Sequence, residues 1–75
     1  MKDLVEFIAK SLVDNEDAVR VDVIERHKLV RIRLRVDGQD TGRVIGKRGR
    51  VANSMRTLLR VMGTRRGTRV DLEIG

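Results

Sequence analysis

Two glycines bracket two cations at Gly46-Lys47-Arg48-Gly49, and these are the residues of the sequence best suited to chemistry. Glycine adopts backbone angles that other residues resist, and its missing side chain lets a second backbone come close. Lys47 and Arg48 add positive charge at that point of approach. A helix pattern begins at Arg50, so unpaired N–H groups and the positive end of a helix dipole are expected beside the loop. Together these residues predict a binding site for a phosphodiester backbone.

Positive charge is concentrated in the second part of the chain. The net charge is +6, but residues 1–25 hold three Lys/Arg and seven Asp/Glu, whereas residues 26–75 hold fourteen and four. Thirteen of the seventeen cations are Arg, whose planar guanidinium suits phosphate groups better than Lys does. Such a concentration of like charge favours an anionic partner, with nucleic acid as the first candidate and a solvated surface as the alternative.

The sequence contains few residues suited to catalysis or to metal binding. The chain has no Cys and one His, and no pair of carboxylates stands in a recognisable site, so we expect neither an enzyme nor a cofactor. A nucleotide-binding P-loop needs four residues between its glycines and then Lys-Ser/Thr. Gly42 and Gly46 have three residues between them, and Arg48 stands where the hydroxyl residue belongs.

Other partner classes are also disfavoured. Phe7 is the one aromatic residue, and its place in an apolar pattern predicts core packing, so no platform for stacking bases is expected. No recognition-helix motif for double-stranded DNA is apparent. No apolar run approaches the roughly 20 residues that span a bilayer. Charge alone could attract an anionic membrane, but this would leave the paired glycines unexplained. We therefore expect no membrane partner, and the lack of Cys fits a cytoplasmic protein.

Hydrophobic periodicity predicts six elements that position the glycine-bracketed loop. In chain order they are a helix over 3–13, strands over 19–23 and 30–36, a helical turn over 42–45, a helix over 50–62 and a strand over 69–74. Gly63 to Gly67 is expected to break the long helix. This α-β-β-α-α-β order predicts a single α+β domain over 1–75, with its helices on one face of a three-stranded sheet.

Two faces of these elements remain open to more than one interpretation. Arg31, Arg33 and Arg35 alternate with apolar residues and form the outer face of the second strand. They could be solvated, widen an RNA surface or meet an acidic partner. The long helix carries an apolar stripe, which predicts contact with the core or, for its methionines, with a second subunit. The stripe consists of Val51, Met55, Leu58, Leu59 and Met62.

Val44-Ile45-Gly46-Lys47-Arg48-Gly49, followed by an apolar-striped helix, resembles the I-G-x-x-G signature of KH RNA-binding domains. The order of elements resembles the type II, or prokaryotic, KH arrangement. The resemblance covers essentially the whole chain and is most specific over residues 40–60. In length the chain is similar to the small bacterial KhpA family.

The resemblance implies that the loop clamps the backbone of about four nucleotides of single-stranded RNA. Lys47 and Arg48 would meet phosphates, with Arg43 and Arg50 flanking them. The bases would lie in a narrow groove whose apolar floor includes Val44, Ile45 and Val51.

The same resemblance implies a protein partner. KH proteins similar to KhpA form dimers, and they are associated with a larger KH-containing protein, KhpB. Together they regulate RNA, in the manner of an RNA chaperone, and in some bacteria affect cell elongation and division. An alternative function is therefore a protein-interaction module that pairs with itself or with a KhpB-like protein, with RNA binding secondary.

Overall fold

The computed structural model describes residues 1–75 and contains three α-helices and three β-strands. These elements are α1 (Lys2–Leu12), β1 (Arg20–Arg26), β2 (Leu29–Arg35), α2 (Thr41–Ile45), α3 (Arg50–Arg65) and β3 (Arg69–Ile74). Short 3-10 turns at Glu16–Ala18, Gly38–Asp40 and Lys47–Gly49 lie between them. The predicted α-β-β-α-α-β order and α+β class are confirmed.

Strand β2 is the centre of a mixed sheet in the order β1-β2-β3. It pairs antiparallel with β1 through a two-residue turn and parallel with β3. A parallel pair needs a long crossover connection, and α2, the GxxG loop (residues 46–49) and α3 supply it. The inward residues of β2 include Ile32 and Leu34, which have no exposed surface. The helices cover this apolar face, so the GxxG loop rests on an ordered core.

The outer face of the sheet places acids beside two of the three β2 arginines. Arg33 lies between Asp22 and Glu73, and its Nη2 is 3.3 Å from Glu73 Oε2. Arg31 lies beside Asp71 of β3. Opposite charges on adjacent strands stabilise the pair modestly. Arg35 has no such acid and lies opposite Arg20 of β1. Of the three interpretations of this arginine ladder, the arrangement favours a solvated face whose charge is partly balanced within the sheet.

The prediction that Phe7 packs in the core is wrong. Helix α1 buries Val5 and Ala9, and it packs on β1 and β2. Each residue turns an α-helix by about 100°, so Phe7 points about 200° away from both buried positions. Its side chain is 70% exposed.

Helix α3 does not break at Gly63 as predicted but continues to Arg65. Two residues beyond its end, at Gly67, the backbone becomes left-handed with φ +66°. The Thr68 N–H donates to Gly63 O over 2.8 Å, and the Gly67 N–H donates to Thr64 O over 3.1 Å. These two bonds form the Schellman arrangement that closes many helices.

Gly63 instead serves the contact between α3 and β3. A Cβ at this position would meet Thr68 O and would lie 2.7 Å from Val70 Cγ2. The same contact buries Leu59, whereas Leu58, which was predicted to be buried, is 50% exposed. Leu58 lies one residue around the helix from Leu59, beyond the surface that the sheet covers.

Arg56 also joins α3 to β3. Its Nε and Nη2 both donate to Leu72 O at 3.3 Å, and its Nη1 donates to Asn53 Oδ1 at 3.3 Å. The side chain is half-buried, although Arg56 lies away from the apolar stripe of α3.

Candidate nucleic-acid interface

Gly46 ends α2 in a conformation that is nearly restricted to glycine, with φ +79° and ψ +171°. A Cβ there would also lie 2.5 Å from Val51 Cγ2 and 2.9 Å from the Val51 N. The first glycine therefore lets the start of α3 fold closely against the end of α2.

The rest of the GxxG loop is a 3-10 turn with a left-handed backbone. Arg48 has φ +58° and Gly49 has φ +75°. The Gly49 N–H donates to Gly46 O over 3.1 Å, and the Arg50 N–H donates to Lys47 O. The first residues of such a turn lack an intrahelical acceptor for their N–H groups, which leaves those groups available to an anion.

Three cations at the loop keep their charge free. Lys47, Arg48 and Arg50 are exposed and take no part in the five ion pairs of the molecule. Because no carboxylate offsets them, the loop carries a local excess of positive charge.

Arg43, the other predicted phosphate contact, faces carboxylates instead. Its Nη1 is 2.9 Å from Asp14 Oδ1, and its Nε is 3.8 Å from Asp40 Oδ1. The structure therefore places Arg43 beside the loop on α2 but pairs it within the protein.

Asp40 fixes the start of α2, and sequence reasoning missed this role. The Asp40 carboxylate makes no capping bond to α2 and instead accepts from the Asp14 and Asn15 N–H groups, at 3.2 and 3.1 Å. It is 3% exposed and is the one buried charged residue. Hydrogen bonds to a buried charge are strong, so they tie the end of α1 to the helix that leads into the loop.

Asp37 supports the same connection from the surface. Its carboxylate accepts from the Gln39 N–H at 2.9 Å and from Asn15 Nδ2 at 3.2 Å. These two bonds lower the pKa of Asp37, with the Gln39 bond the larger cause. The carboxylate thus stays ionised and holds the turn between β2 and α2.

The three apolar residues predicted as a floor for bases differ in exposure. Val44 lies inside the hydrophobic core with no exposed surface, which is at odds with direct contact to a base. Ile45 is 37% exposed, and Val51 is half-buried beside Gly46. Ile45 and Val51 therefore form the accessible apolar surface next to the loop, and Val44 supports it from beneath.

The first two turns of α3 add polar groups that the sequence did not single out. Asn53 Nδ2 lies 3.6 Å from where a Gly49 Cβ would stand. An open concavity continues from this point and is lined by Arg50, Asn53, Ser54, Thr57 and Leu58. The signal was available, because these polar residues face away from the apolar stripe and begin at the GxxG loop.

No group of three or more His, Asp or Glu side chains is placed to hold a metal ion. No helix of the structure has the length and apolar character needed to cross a bilayer.

The fold and the loop together define a class of protein. A mixed three-stranded sheet covered by helices on one face, with a glycine-bracketed loop between α2 and α3, is the type II KH-like fold. Comparison with known families then narrows the class, because residues 2–74 match the family described as KhpA/KhpB, KH domain. The chain belongs to this family, which is not a family of enzymes.

Curated relatives agree with the family match over nearly the whole chain. One from Aquifex aeolicus, named RNA-binding protein KhpA, is 55% identical over 74 residues, covering 99% of this chain and 94% of the relative. Another of the same name, from Borreliella burgdorferi, is 50% identical over 72 residues, covering 96% and 88%. A third, from Caldanaerobacter subterraneus, is 47% identical and covers 99% of both chains. No significant match to a solved structure was found.

Proposed function

We propose that this protein is a non-catalytic, cytoplasmic protein that binds single-stranded RNA through the GxxG loop. The observation that carries the proposal is the group of three unpaired cations, Lys47, Arg48 and Arg50, around a loop that needs two glycines. Relatives named as RNA-binding proteins support the choice of RNA as the polyanion.

The RNA backbone passes over Gly49. The space beside this glycine is open, because a Cβ there would contact only the side chain of Asn53. Lys47 and Arg48 meet phosphates with their side chains and with the free N–H groups at the start of the turn. Arg50 meets a neighbouring phosphate, and Arg43 contributes less because two carboxylates hold it. About four nucleotides are held in this way.

The bases then lie beside the accessible apolar surface of Ile45 and Val51, with Asn53 within reach for hydrogen bonding. With no aromatic side chain at the site, base stacking on protein contributes little, and affinity depends mainly on the phosphates. Weak, exchangeable binding of this kind suits a post-transcriptional regulator or an RNA chaperone.

Replacing Lys47 and Arg48 with Asp together is expected to abolish binding to a short single-stranded RNA, because two phosphate contacts become repulsive. Fluorescence polarisation over a range of salt concentrations is the measurement. For the wild type, log K should fall with log salt with a slope near −2, because three single-strand contacts contribute about −0.7 each.

The matched control replaces Arg35 and Arg60 with Asp, which changes the net charge equally at exposed positions outside the loop. Its affinity should stay within about threefold of the wild type, since long-range attraction is screened by salt. If the Lys47/Arg48 variant keeps a normal circular dichroism spectrum and binds RNA as tightly as this control, the loop is not the RNA site.

We also propose that the protein forms a dimer through the outer face of α3, which supports the interaction-module alternative. Leu58 and Val61 are 50% and 52% exposed and lie about one turn apart on the part of α3 that the sheet does not cover. Ser54 and Thr57 extend this face without adding charge. Interface centres are depleted of charged residues in the same way, and a symmetric pair buries the same surface on both subunits.

The expected occupant of this face is a second copy of the chain. Replacing Leu58 with Glu should turn a dimer into a monomer in sedimentation at micromolar concentration, because a charge would be buried without a partner. Ile24→Glu is the control, since Ile24 is 48% exposed on the outer sheet face. A wild type that sediments as a monomer would contradict self-association, and binding of that monomer to a larger KH protein would then identify a heterodimer.

A further inference from the structure

A second concentration of positive charge lies at the end of the molecule opposite the GxxG loop. We call it the hairpin end, and it consists of Arg26, Lys28, Arg65, Arg66 and Arg69. All five side chains are exposed. The RNA site proposed above does not use any of them.

Separate elements bring these cations together. Strand β1 ends at Arg26, and the two-residue turn that follows includes Lys28. Strand β3 begins at Arg69, whose N–H donates to Lys28 O over 3.0 Å. Helix α3 ends at Arg65, and the Schellman arrangement returns the chain directly to β3. The cluster is therefore set by the backbone rather than by chance orientations of long side chains.

The charge of the hairpin end is not balanced within the protein. Arg69 is paired with Asp71 at 3.3 Å, and the other four cations form no ion pair. Glu25 lines the same concavity as Arg66 but forms no ion pair with it. This contrasts with the outer sheet face, where Arg33 lies between two acids.

Lys28 adds a second observation. It has φ +60° in a two-residue hairpin turn, a place where Gly or Asn is strongly preferred. The structure has two non-glycine residues with positive φ, and the other is Arg48 of the GxxG loop. Both strained positions thus carry a cation, one at each end of α3.

We propose that the hairpin end is a second RNA-phosphate site, which holds the part of a longer RNA that extends beyond the GxxG loop. This inference rests on the proposed function of the loop. Helix α3 has 16 residues and so separates the two sites by about 24 Å. At about 3.4 Å per phosphate of a stacked strand, about seven nucleotides span that distance.

The test compares two oligoadenylates, which stack as single strands, of about 5 and about 20 nucleotides, one too short and one long enough to span α3. The variant combines Lys28→Asn, Arg65→Gln and Arg66→Gln. We expect it to bind the long RNA about tenfold more weakly than the wild type at low salt and the short RNA within about twofold. Its salt slope on the long RNA should be less negative by about 2.

The matched control removes the same charge from the outer sheet face, with Arg31, Arg33 and Arg35 all replaced by Gln. Its long-RNA affinity should fall less than about threefold, since these side chains are not placed as an RNA site. Equal losses in the two variants would overturn the proposal in favour of general charge attraction. An unchanged long-RNA affinity in the hairpin-end variant would also overturn it, and loss of binding to phosphatidylserine vesicles alone would assign the surface to membranes instead.

The single variant Lys28→Asn separates binding from folding. Because Asn accepts a left-handed backbone more readily than Lys, this variant should unfold at the same or a higher temperature. Its affinity for the long RNA should nevertheless fall by about two- to threefold. A parallel loss of thermal stability and long-RNA affinity would instead assign a structural role to Lys28.

Failure of the second site and failure of the GxxG site give different results. If the GxxG loop is not the RNA site, Lys47→Asp with Arg48→Asp leaves the affinity for the short RNA unchanged. If only the hairpin end is wrongly assigned, that loop variant loses both RNAs while the hairpin-end variant loses neither.

Discussion

Two glycines three positions apart, Gly46 and Gly49, have different physical requirements at the level of the single residue. Gly46 adopts a conformation that is nearly exclusive to glycine, and a Cβ there would overlap Val51. Gly49 has a left-handed conformation that Asn also tolerates, and its surroundings are open. The first glycine is thus needed for the fold, whereas the second is needed for access to the loop.

This difference predicts a split between stability and binding. Gly46→Ala should lower the free energy of unfolding by about 2–4 kcal/mol, because strain and overlap add. Gly49→Asn should lower it by less than about 1 kcal/mol yet weaken RNA binding, because a side chain then occupies the path of the RNA backbone. Urea unfolding and polarisation with a short RNA measure the two effects, and equal destabilisation by both variants would contradict the assignment.

Asp40 also has a role that depends on its position, because its carboxylate is buried and accepts two backbone N–H groups. Replacing it with Ala removes the acceptor for two backbone N–H groups and should destabilise the protein by about 2–4 kcal/mol. Asp3→Ala is the control, since Asp3 is exposed in the first turn of α1, and should lose less than about 1 kcal/mol. A loss for Asp40→Ala no larger than that of the control, in urea unfolding, would show that the anchor is not needed.

At the level of elements, α3 combines the RNA loop at its start with close packing at its end. Gly63 permits this packing, because its missing Cβ leaves room for Thr68 and Val70. Gly42 is also a helical glycine, but a Cβ there would meet no atom within 4 Å. The two positions therefore form a matched pair.

Gly63→Ala should destabilise the protein by about 1–3 kcal/mol, since it forces α3 away from β3. Gly42→Ala should stabilise it by about 0.5–1 kcal/mol, since Ala is the better helix residue. Thermal unfolding of both variants measures the difference, and changes of the same sign would contradict the close contact.

The order and type of the elements were predictable from the sequence, because apolar residues recur every two residues in the strands and every three to four residues in the helices. The exposure of single residues was not. Phe7 and Leu58 both fit an apolar helical pattern, yet the sheet covers a narrower part of each helix than the pattern suggested. Which apolar residues lie at the edge of a contact depends on how the helix is rotated against its neighbour.

The candidate site was predictable in part for a similar reason. The GxxG loop and its cations follow from residue type and spacing. The burial of Val44 and the pairing of Arg43 with Asp14 depend on contacts between residues far apart in the sequence, so periodicity could not reveal them.

At the level of the whole molecule, charge is sorted by surface. Acids of β1 and β3 lie beside Arg31 and Arg33 on the outer sheet face. Five cations without an ion pair lie near the two ends of α3, namely Lys47, Arg48, Arg50, Arg65 and Arg66. The positive net charge is therefore not distributed evenly over the surface. We expect RNA to bind at the two ends of α3 rather than across the sheet, which leaves the middle of the outer face of α3 to the second copy of the chain.

The bond from Arg56 to Leu72 has a consequence for how copies of the chain can meet. Strand β3 is an edge strand of the sheet. The unpaired N–H and C=O groups of an edge strand can pair with a strand of another copy, and repeated pairing of this kind leads to fibrils. A guanidinium already occupies one acceptor on that strand. The bond to Leu72 therefore opposes pairing of β3 with a strand of another copy. Copies of the chain are expected to associate through helical surfaces instead.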